Sequence, residues 1–241
     1  MPSIFTSAWQ TAPKTLPPGS TVCAIGDVHG CIALLRPMIA YHGAKILLRD
    51  GQGCLVLIGD HIDRGPASLE TLAYVRDLAL PDRDIVRLLG NHDVFLALIT
   101  GDEEIDVAFV EAWLDVGGES TFRELGLGRE DLFRLTVDEL RDLVRARLPP
   151  GMPGFLAGLT KSHRIADYLF VHAGLDPSTP IGDHDLSDLV MIREPFLAGT
   201  GWSHNVTVVH GHTIRGHEVL PHRIAIDTGA FRTGLLSCLQ L

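Results

Sequence analysis

Three short segments combine glycine with side chains that bind divalent metals: Gly26-Asp27-Val28-His29-Gly30, Gly59-Asp60-His61-Ile62-Asp63-Arg64-Gly65 and Gly90-Asn91-His92-Asp93. Two later segments add histidines, Val171-His172-Ala173-Gly174 and His210-Gly211-His212-Thr213. Asp27 and His29 are two residues apart, project from one turn and can grip one ion together. Asp60 is placed to bridge two ions with its two oxygens. Asn91, His172 and one of the pair His210 and His212 would complete the second ion. Oxygen and imidazole donors without thiolate suit Mn²⁺, Fe or Zn²⁺ better than copper, and the histidines argue against Ca²⁺ or Mg²⁺. Two divalent ions are therefore expected, Mn²⁺ first, with Fe or Zn²⁺ as alternatives.

Such a centre would attack phosphate esters. Two divalent ions outweigh two aspartates and one hydroxide by a single positive charge, which attracts a phosphate in spite of an acidic chain. Bound metal lowers the pKa of water from about 15.7 to roughly 7, and ions about 3.5–4 Å apart clamp an in-line displacement. Arg64 and Arg193, the latter in Met191-Ile192-Arg193-Glu194, can hold phosphate oxygens bidentately. His92 stands one residue beyond Asn91 and points to the substrate instead, with Asp63 to orient it as the acid for the leaving alkoxide. General acid help of this kind is worth about 10²–10⁴-fold. Asp27 or Asp63 alone would read equally well as a helix cap, and either arginine alone as a surface ion-pair partner. Their joint occurrence with the ligands decides otherwise.

The elements that must position these groups are legible around them. The first three segments each follow an apolar, β-branched run, Val22 to Ile25, Leu55 to Ile58 and Ile85 to Leu89. That places the ligands at the carboxyl ends of strands, where open α/β sheets hold their ligands. Ile32–Tyr41 has helical apolar spacing, and Pro66 should begin a helix reaching Leu78. The alternation of strand and helix implies parallel strands. Between Val94 and Leu159 no strand pattern appears. Phe95–Leu98, Val107–Leu114 and Val137–Arg147 read as helical, with glycine breaks at Gly117-Gly118 and Gly126–Gly128. Residues 94–160 are thus expected to be a helical insertion beside the site, within one domain over 1–241 that has an irregular lead-in at 1–20. Strands return at Tyr168–Val171, Val206–Val209, Arg223–Ile226 and Leu235–Leu239, which predicts a second, mixed sheet packed on the first.

Composition excludes some classes. The 241 residues, 46% of them hydrophobic, can bury one large core. A formal charge of −10 argues against nucleic-acid or anionic-membrane partners. No apolar run approaches a membrane span, and residues 1–20 lack the basic-then-apolar layout of a secretory signal, so a cytoplasmic location is expected. Cys23, Cys31, Cys54 and Cys238 show no C-x-x-C spacing and read as small buried hydrophobes. His42, His163, His184, His204, His217 and His222 read as surface or turn residues. His61 alternates away from Asp60 and Asp63. Phe95, Phe109 and Trp113 fall at helical spacing and read as core of the insertion.

The order GDVHG, GDHIDRG, GNHD, VHAG, GHT and Ile226-Asp227-Thr228-Gly229-Ala230 resembles the metallophosphoesterase superfamily. Within it the chain is similar to the bacterial branch of the phosphoprotein phosphatases, over Val22 to about Leu239. The resemblance implies an α/β fold, a four-layer α/β/β/α sandwich of two mixed sheets. It implies Asp27, His29 and Asp60 at one metal, and Asp60, Asn91, His172 and His212 at the other. His92 is implied as acid with Asp63 as its partner, and Arg64, Arg193 and Asn91 as phosphate binders. The implied activity is hydrolysis of phosphoserine or phosphothreonine in proteins. A symmetrical dinucleoside tetraphosphatase, or another small-phosphoester hydrolase with the same centre, is the alternative. Those tetraphosphatases typically carry Trp directly after the last GH histidine, where this chain has Thr213. The nuclease branch usually has a histidine where Ile214 stands, and generally lacks the arginine found here as Arg64. Two positions depart from the family pattern: Asp93 replaces a usual Glu, which puts the support behind His92 in doubt, and Met191 replaces a frequent Trp on the substrate side.

Overall fold

A computed structural model describes residues 3–48 and 51–241. The first third alternates strand and helix: β1 (Thr21–Ile25), α1 (Ile32–Leu47), β2 (Gly53–Leu57), α2 (Ser68–Asp77) and β3 (Asp84–Arg87). Five helices follow, α3 (Asn91–Thr100), α4 (Val107–Trp113), α5 (Glu119–Glu124), α6 (Val137–Arg147) and α7 (Met152–Ala157). The remainder comprises β4 (Ser162–Ile165), β5 (Tyr168–Val171), α8 (Leu186–Met191), β6 (Thr207–His210), β7 (Glu218–Val219), β8 (Arg223–Ala225), α9 (Ala230–Thr233) and β9 (Cys238–Gln240).

Two mixed sheets result. In the first, ordered β3-β2-β1-β9, the first three strands are parallel and β9 runs antiparallel to β1. In the second, ordered β4-β5-β6-β8-β7, the central three are parallel and the two edge strands antiparallel. Side chains alternate across each strand. Val22, Ala24 and Val56 meet Tyr168, Phe170, Val209 and Ile224 between the sheets. Cys23, Ile25, Leu55 and Leu57 turn the other way, onto Leu35, Ile39 and Val75 of α1 and α2. Leu169, Val171 and Val208 cover the far face of the second sheet together with Leu189 and Val190 of α8 and with Phe196. Both faces of the central strands are buried, which is why they read as continuous apolar runs rather than alternating ones. The layers are helix, sheet, sheet, helix, the α/β/β/α order expected from the sequence.

The differences have local causes. α1 continues past Tyr41 to Leu47, through Pro37, because Leu35, Ile39, His42 and Ile46 keep one buried stripe at helical spacing. His42 is therefore buried within that stripe, not a surface residue. The second helix begins at Ser68 rather than Pro66. Its first amides donate to a distant carboxylate, Ser68 N to Glu124 at 2.6 Å and Leu69 N at 3.0 Å, so a tertiary partner sets the start. β9 begins three residues later than expected and leaves Leu235 exposed. The two-residue β7 and the half-exposed edge strand β4 carry too little apolar pattern to be anticipated, and the six-residue helices α7 and α8 were likewise unforeseen. Helices α3 to α7 bury their own core, including Leu96, Val110, Trp113, Phe122, Val144 and Leu156, against Leu72 and Ile62.

Candidate metal centre

Asp60 lies at the centre of the motif residues. Its Oδ2 is 3.4 Å from His29 Nε2 and its Oδ1 is 3.3 Å from His172 Nε2. Each carboxylate oxygen thus faces a different histidine. Both imidazoles are fixed from behind: His29 Nδ1 lies 2.9 Å from the Ile62 carbonyl and His172 Nδ1 3.0 Å from that of Ile58. A ring N–H donating to each carbonyl leaves Nε2 as an acceptor turned inward, as a metal-ligating histidine requires. The Asn91 oxygen stands 3.0 Å from His172 Nε2 and 2.9 Å from His212 Nδ1. Asp27 receives the His212 backbone N–H at 2.9 Å.

The turns that deliver these groups are strained. Among the described residues, seven non-glycine positions have positive φ, and His29 (44°), Asp60 (49°), Asp63 (73°), Arg64 (66°) and His212 (63°) are five of them. Each such residue costs on the order of 1–3 kcal/mol, so the rest of the fold holds these side chains against a local preference. Glycine is needed where the turns cross. A Cβ on Gly90 would overlap the backbone nitrogen and Oδ1 of Asp60, and one on Gly211 would overlap Asp27 Oδ1.

The electrostatics ask for cations. Asp27, Asp60 and Asp227 are all buried. Burial, then the neighbouring Asp227, pushes the Asp27 carboxyl well above its ordinary range. Asp60 goes the other way. Burial opposes its ionisation, but His172 and His92 beside it hold its carboxyl well below the usual range. Burial, reinforced at His212 by His172, lowers His29 to about 4 and His212 to about 3, so both rings are neutral and able to ligate at neutral pH. Burial opposes the charge on His172, but Asp60, by charge and by hydrogen bond, together with Asp27 moves it up to about 9, so this ring holds on Nε2 a proton that a cation would have to replace. Asp27 Oδ1 and His212 Nε2 are buried with no hydrogen-bond partner, an expensive arrangement unless another group takes them up. His29, Asp60 and His92 offer ligand atoms within 4.8 Å of one another, and so do Asp60, His172 and His212. Two sets that share Asp60 fit a pair of divalent ions. The tight set on the first side holds His92 rather than Asp27, whose orphaned oxygen is the other candidate there.

His92 belongs to a second network. Its Nδ1 is 2.7 Å from Asp63 Oδ2, and its backbone N–H donates to Asp60 Oδ1 at 3.0 Å. Trp113 Nε1 donates to the same Asp63 oxygen at 2.7 Å, and Thr121 donates to the other. His92 Nε2 is buried without a protein partner. Trp113 and Thr121 escaped the sequence reading, which placed Trp113 only in the core of the insertion. The one signal was the local pattern Trp113-Leu114 with Gly117-Gly118. Asp93 does not support His92 at all. It accepts from His61 through Nδ1 at 2.9 Å and the backbone N–H at 3.1 Å, and from Gly90 N at 3.0 Å, tying two motif turns together. His61 is accordingly buried, away from Asp60.

Arg64 is held from outside its own turn. Its Nε donates to the Val116 carbonyl at 3.2 Å, its Nη1 lies 2.9 Å from His29 Nε2, and its guanidinium sits 5.1 Å from the Phe231 ring centroid. Beside it an open cleft of about 380 Å³ is lined by Arg64, Pro66, Ser120, Arg123, Glu124 and Phe231 among others. Arg193 is exposed and near enough for its charge to depress His212. His210, by contrast, is wholly buried, with its ring 5.0 Å from that of Phe196 and Nδ1 3.0 Å from the Gly211 carbonyl.

Comparison with known proteins identifies the fold and the family. The symmetrical bis(5'-nucleosyl)-tetraphosphatase of Aromatoleum aromaticum is 31% identical over 156 residues, 65% of this chain and 45% of that protein. The protein of the same name from Shigella dysenteriae is 47% identical over 83 residues, 32% of this chain and 25% of its own length. The chain therefore spans less than half the length of these relatives in the matched regions. A crystal structure of a candidate diadenosine tetraphosphatase superposes with a TM-score of 0.61 at 21% identity, covering 94% of this chain and 91% of that one. A metallophosphoesterase from Sphaerobacter thermophilus gives 0.51 at 18% identity, over 92% and 83%. At these identities the superpositions establish the fold. The calcineurin-like phosphoesterase model matches residues 20–221, which contain the whole set from Asp27 to His212, and the chain belongs to that family of metal-dependent phosphoric ester hydrolases.

Proposed function

We propose that the chain is a dinuclear-metal phosphohydrolase whose substrate is a nucleotide of the dinucleoside polyphosphate class. The observation that carries the chemistry is Asp60, with one oxygen toward His29 and the other toward His172. In this reading Asp27, His29 and Asp60 hold one ion, and Asp60, Asn91, His172 and His212 hold the other. When bound, two such ions supply a hydroxide nucleophile at neutral pH and neutralise charge on the phosphorus oxygens. The chain's own residues do the rest. Arg64, Arg193 and Asn91 bind phosphate oxygens. His92 presents Nε2 to the leaving oxygen and gives up its proton there, while Asp63, held by Trp113 and Thr121, fixes Nδ1.

The choice of nucleotide over phosphoprotein rests on two supports. The curated relatives carry the tetraphosphatase name, and the cleft beside Arg64 adds a second arginine, Arg123, and an aromatic ring, Phe231. A polyphosphate chain suits the two arginines, and a base suits the ring. Thr213, where tetraphosphatases typically have Trp, keeps phosphoserine and phosphothreonine as the second reading. Parallel rates with Mn²⁺ on diadenosine tetraphosphate, a phosphothreonine peptide, a phosphotyrosine peptide and a bis-aryl phosphodiester decide. The dinucleotide should give the highest kcat/KM. A phosphothreonine peptide that exceeds it overturns the nucleotide assignment and leaves the phosphohydrolase chemistry in place.

A further inference from the structure

Away from this centre, on the face of the first sheet that packs against α1, two thiols and an imidazole converge. Cys23 lies on β1, Cys238 on β9 and His42 on α1. In the antiparallel ladder Cys23 pairs with Gln240 and Ile25 with Cys238, so both thiols fall on one face as diagonal neighbours. Cys23 Sγ is 3.7 Å from His42 Nδ1, and the three ligand atoms all lie within 4.8 Å of one another. In tetrahedral zinc sites, with Zn–S about 2.3 Å and Zn–N about 2.0–2.1 Å, neighbouring donors stand about 3.5–3.8 Å apart. We infer that Cys23, His42 and Cys238 form a second metal site, separate from the phosphoesterase centre, that takes one soft divalent ion of the Zn²⁺ class.

The other cysteines show what plain burial looks like. Cys54 faces between the sheets, and burial with nearby Asp84 pushes its thiol up to about 12. Cys31 is raised by burial alone. Cys23 behaves differently. The Cys238 thiol beside it, working against burial and helped by His42, draws it down to about 6, while burial pushes Cys238 up. One proton of the pair is thus easily given up. A divalent ion would draw off the second and leave two thiolates and a neutral imidazole that balance its own charge, beside the Lys45 ammonium, which lowers both thiols and is held by Gln240 and the Tyr41 ring. Cys23 is buried and Cys238 half-buried. The fourth position falls to water, since the Gln240 oxygen across the ladder from Cys23 accepts from Lys45 Nζ at 3.4 Å. An ion here would pin the last strand and the first helix to the centre of the sheet.

The test uses the full chain with its phosphoesterase centre loaded with Mn²⁺. Co²⁺ bound by thiolate gives a near-ultraviolet sulfur-to-metal charge-transfer band, and the phosphoesterase ligands are only oxygen and nitrogen, so that band reports this cluster alone. One equivalent of Co²⁺ should produce the band and Zn²⁺ should abolish it. Cys23→Ser/Cys238→Ser should lose the band and one equivalent of Zn²⁺, yet keep its Mn²⁺ and its activity. Absence of the band in the unaltered protein, or its survival in the double variant, overturns the proposal. Should the double variant fail to fold, alkylation of the unaltered protein settles the matter. Zn²⁺ should protect Cys23 and Cys238 together, and equal alkylation with and without Zn²⁺ overturns the site.

Discussion

His92→Asn separates two roles that the geometry allows for this residue. Its Nε2 is buried without a partner, which suits a proton donor, but it also lies in one tight set with His29 and Asp60, which would suit a ligand. If it is the acid, the variant loses about 10²–10⁴ in kcat on an alkyl phosphate, whose leaving alkoxide must be protonated. At about 1.36 kcal/mol per factor of ten this is roughly 2.7–5.4 kcal/mol of barrier. On an aryl phosphate, or on a phosphoanhydride that releases a nucleotide phosphate, the leaving group carries its own negative charge well and the loss should be under about tenfold. The fold should survive. Asp63 keeps its hydrogen bonds from Trp113 and Thr121 and loses one partner, a cost of about 1–3 kcal/mol. The assay is kcat on the paired substrates together with metal content by elemental analysis. Equal losses on both substrates would refute the proton-donor role, and a variant that holds one ion fewer would make His92 a ligand.

Three further predictions are independent of it. His212→Ala should release one ion and nearly abolish turnover, whereas His210→Ala should keep both and lose about 2–4 kcal/mol of stability, judged by the range for large-to-small core substitutions. Metal counts in the reverse order would show that the final segment has been misassigned. In chelator, stability should fall as pH drops from about 6.5 toward 4 and below, because burial holds His29 near 4 and His210 and His212 near 3. Their folded pKa values lie under the unfolded one, so at these three the unfolded chain binds more protons across that window, while the raised carboxyls of Asp27 and Asp227 act the other way and reduce the slope; a flat urea midpoint from pH 6.5 to 4.5 would contradict this. Phe231→Ala should raise KM for diadenosine tetraphosphate far more than for a small aryl phosphate, and a KM equally raised for both would remove the ring from substrate recognition.

The sequence carried the site better than its surroundings. Each motif sits where a strand runs out, and strand and turn are close in the chain, so local pattern suffices to place Asp27, His29, Asp60, Asn91 and His172 at strand ends, where the structure brings them together. Supports that come from a distance were invisible. Glu124 caps α2 from 56 positions away at Ser68, and Thr121 reaches Asp63 from 58. Neither spacing has a local signature. His42 was misplaced for a related reason, since a polar residue on a helix stripe gains a buried role only through what faces it, here Cys23. Short edge strands such as β7 are likewise specified by the neighbour they pair with rather than by their own two residues.

Asp93 shows how a departure from the family pattern can be misread. A shorter acid in place of the usual Glu suggested altered support behind His92, but that support comes from Asp63, itself clamped by Trp113 and Thr121. Asp93 instead joins His61 to Gly90, linking the Asp60 turn to the Asn91 turn by contacts that need no metal. This linkage bears on the strain at the centre. Asp60, Asp63 and Arg64 are in left-handed conformations, and Asp27, Asp60 and Asp227 are buried together, so the site opposes its own formation twice over. Ions can offset the charge, but the backbone conformation has to be enforced by neighbours that are already in place. The fully buried His61–Asp93 pair, at 2.9 Å, is such a neighbour, which explains why a histidine pointing away from Asp60 lies inside the Gly59–Gly65 segment.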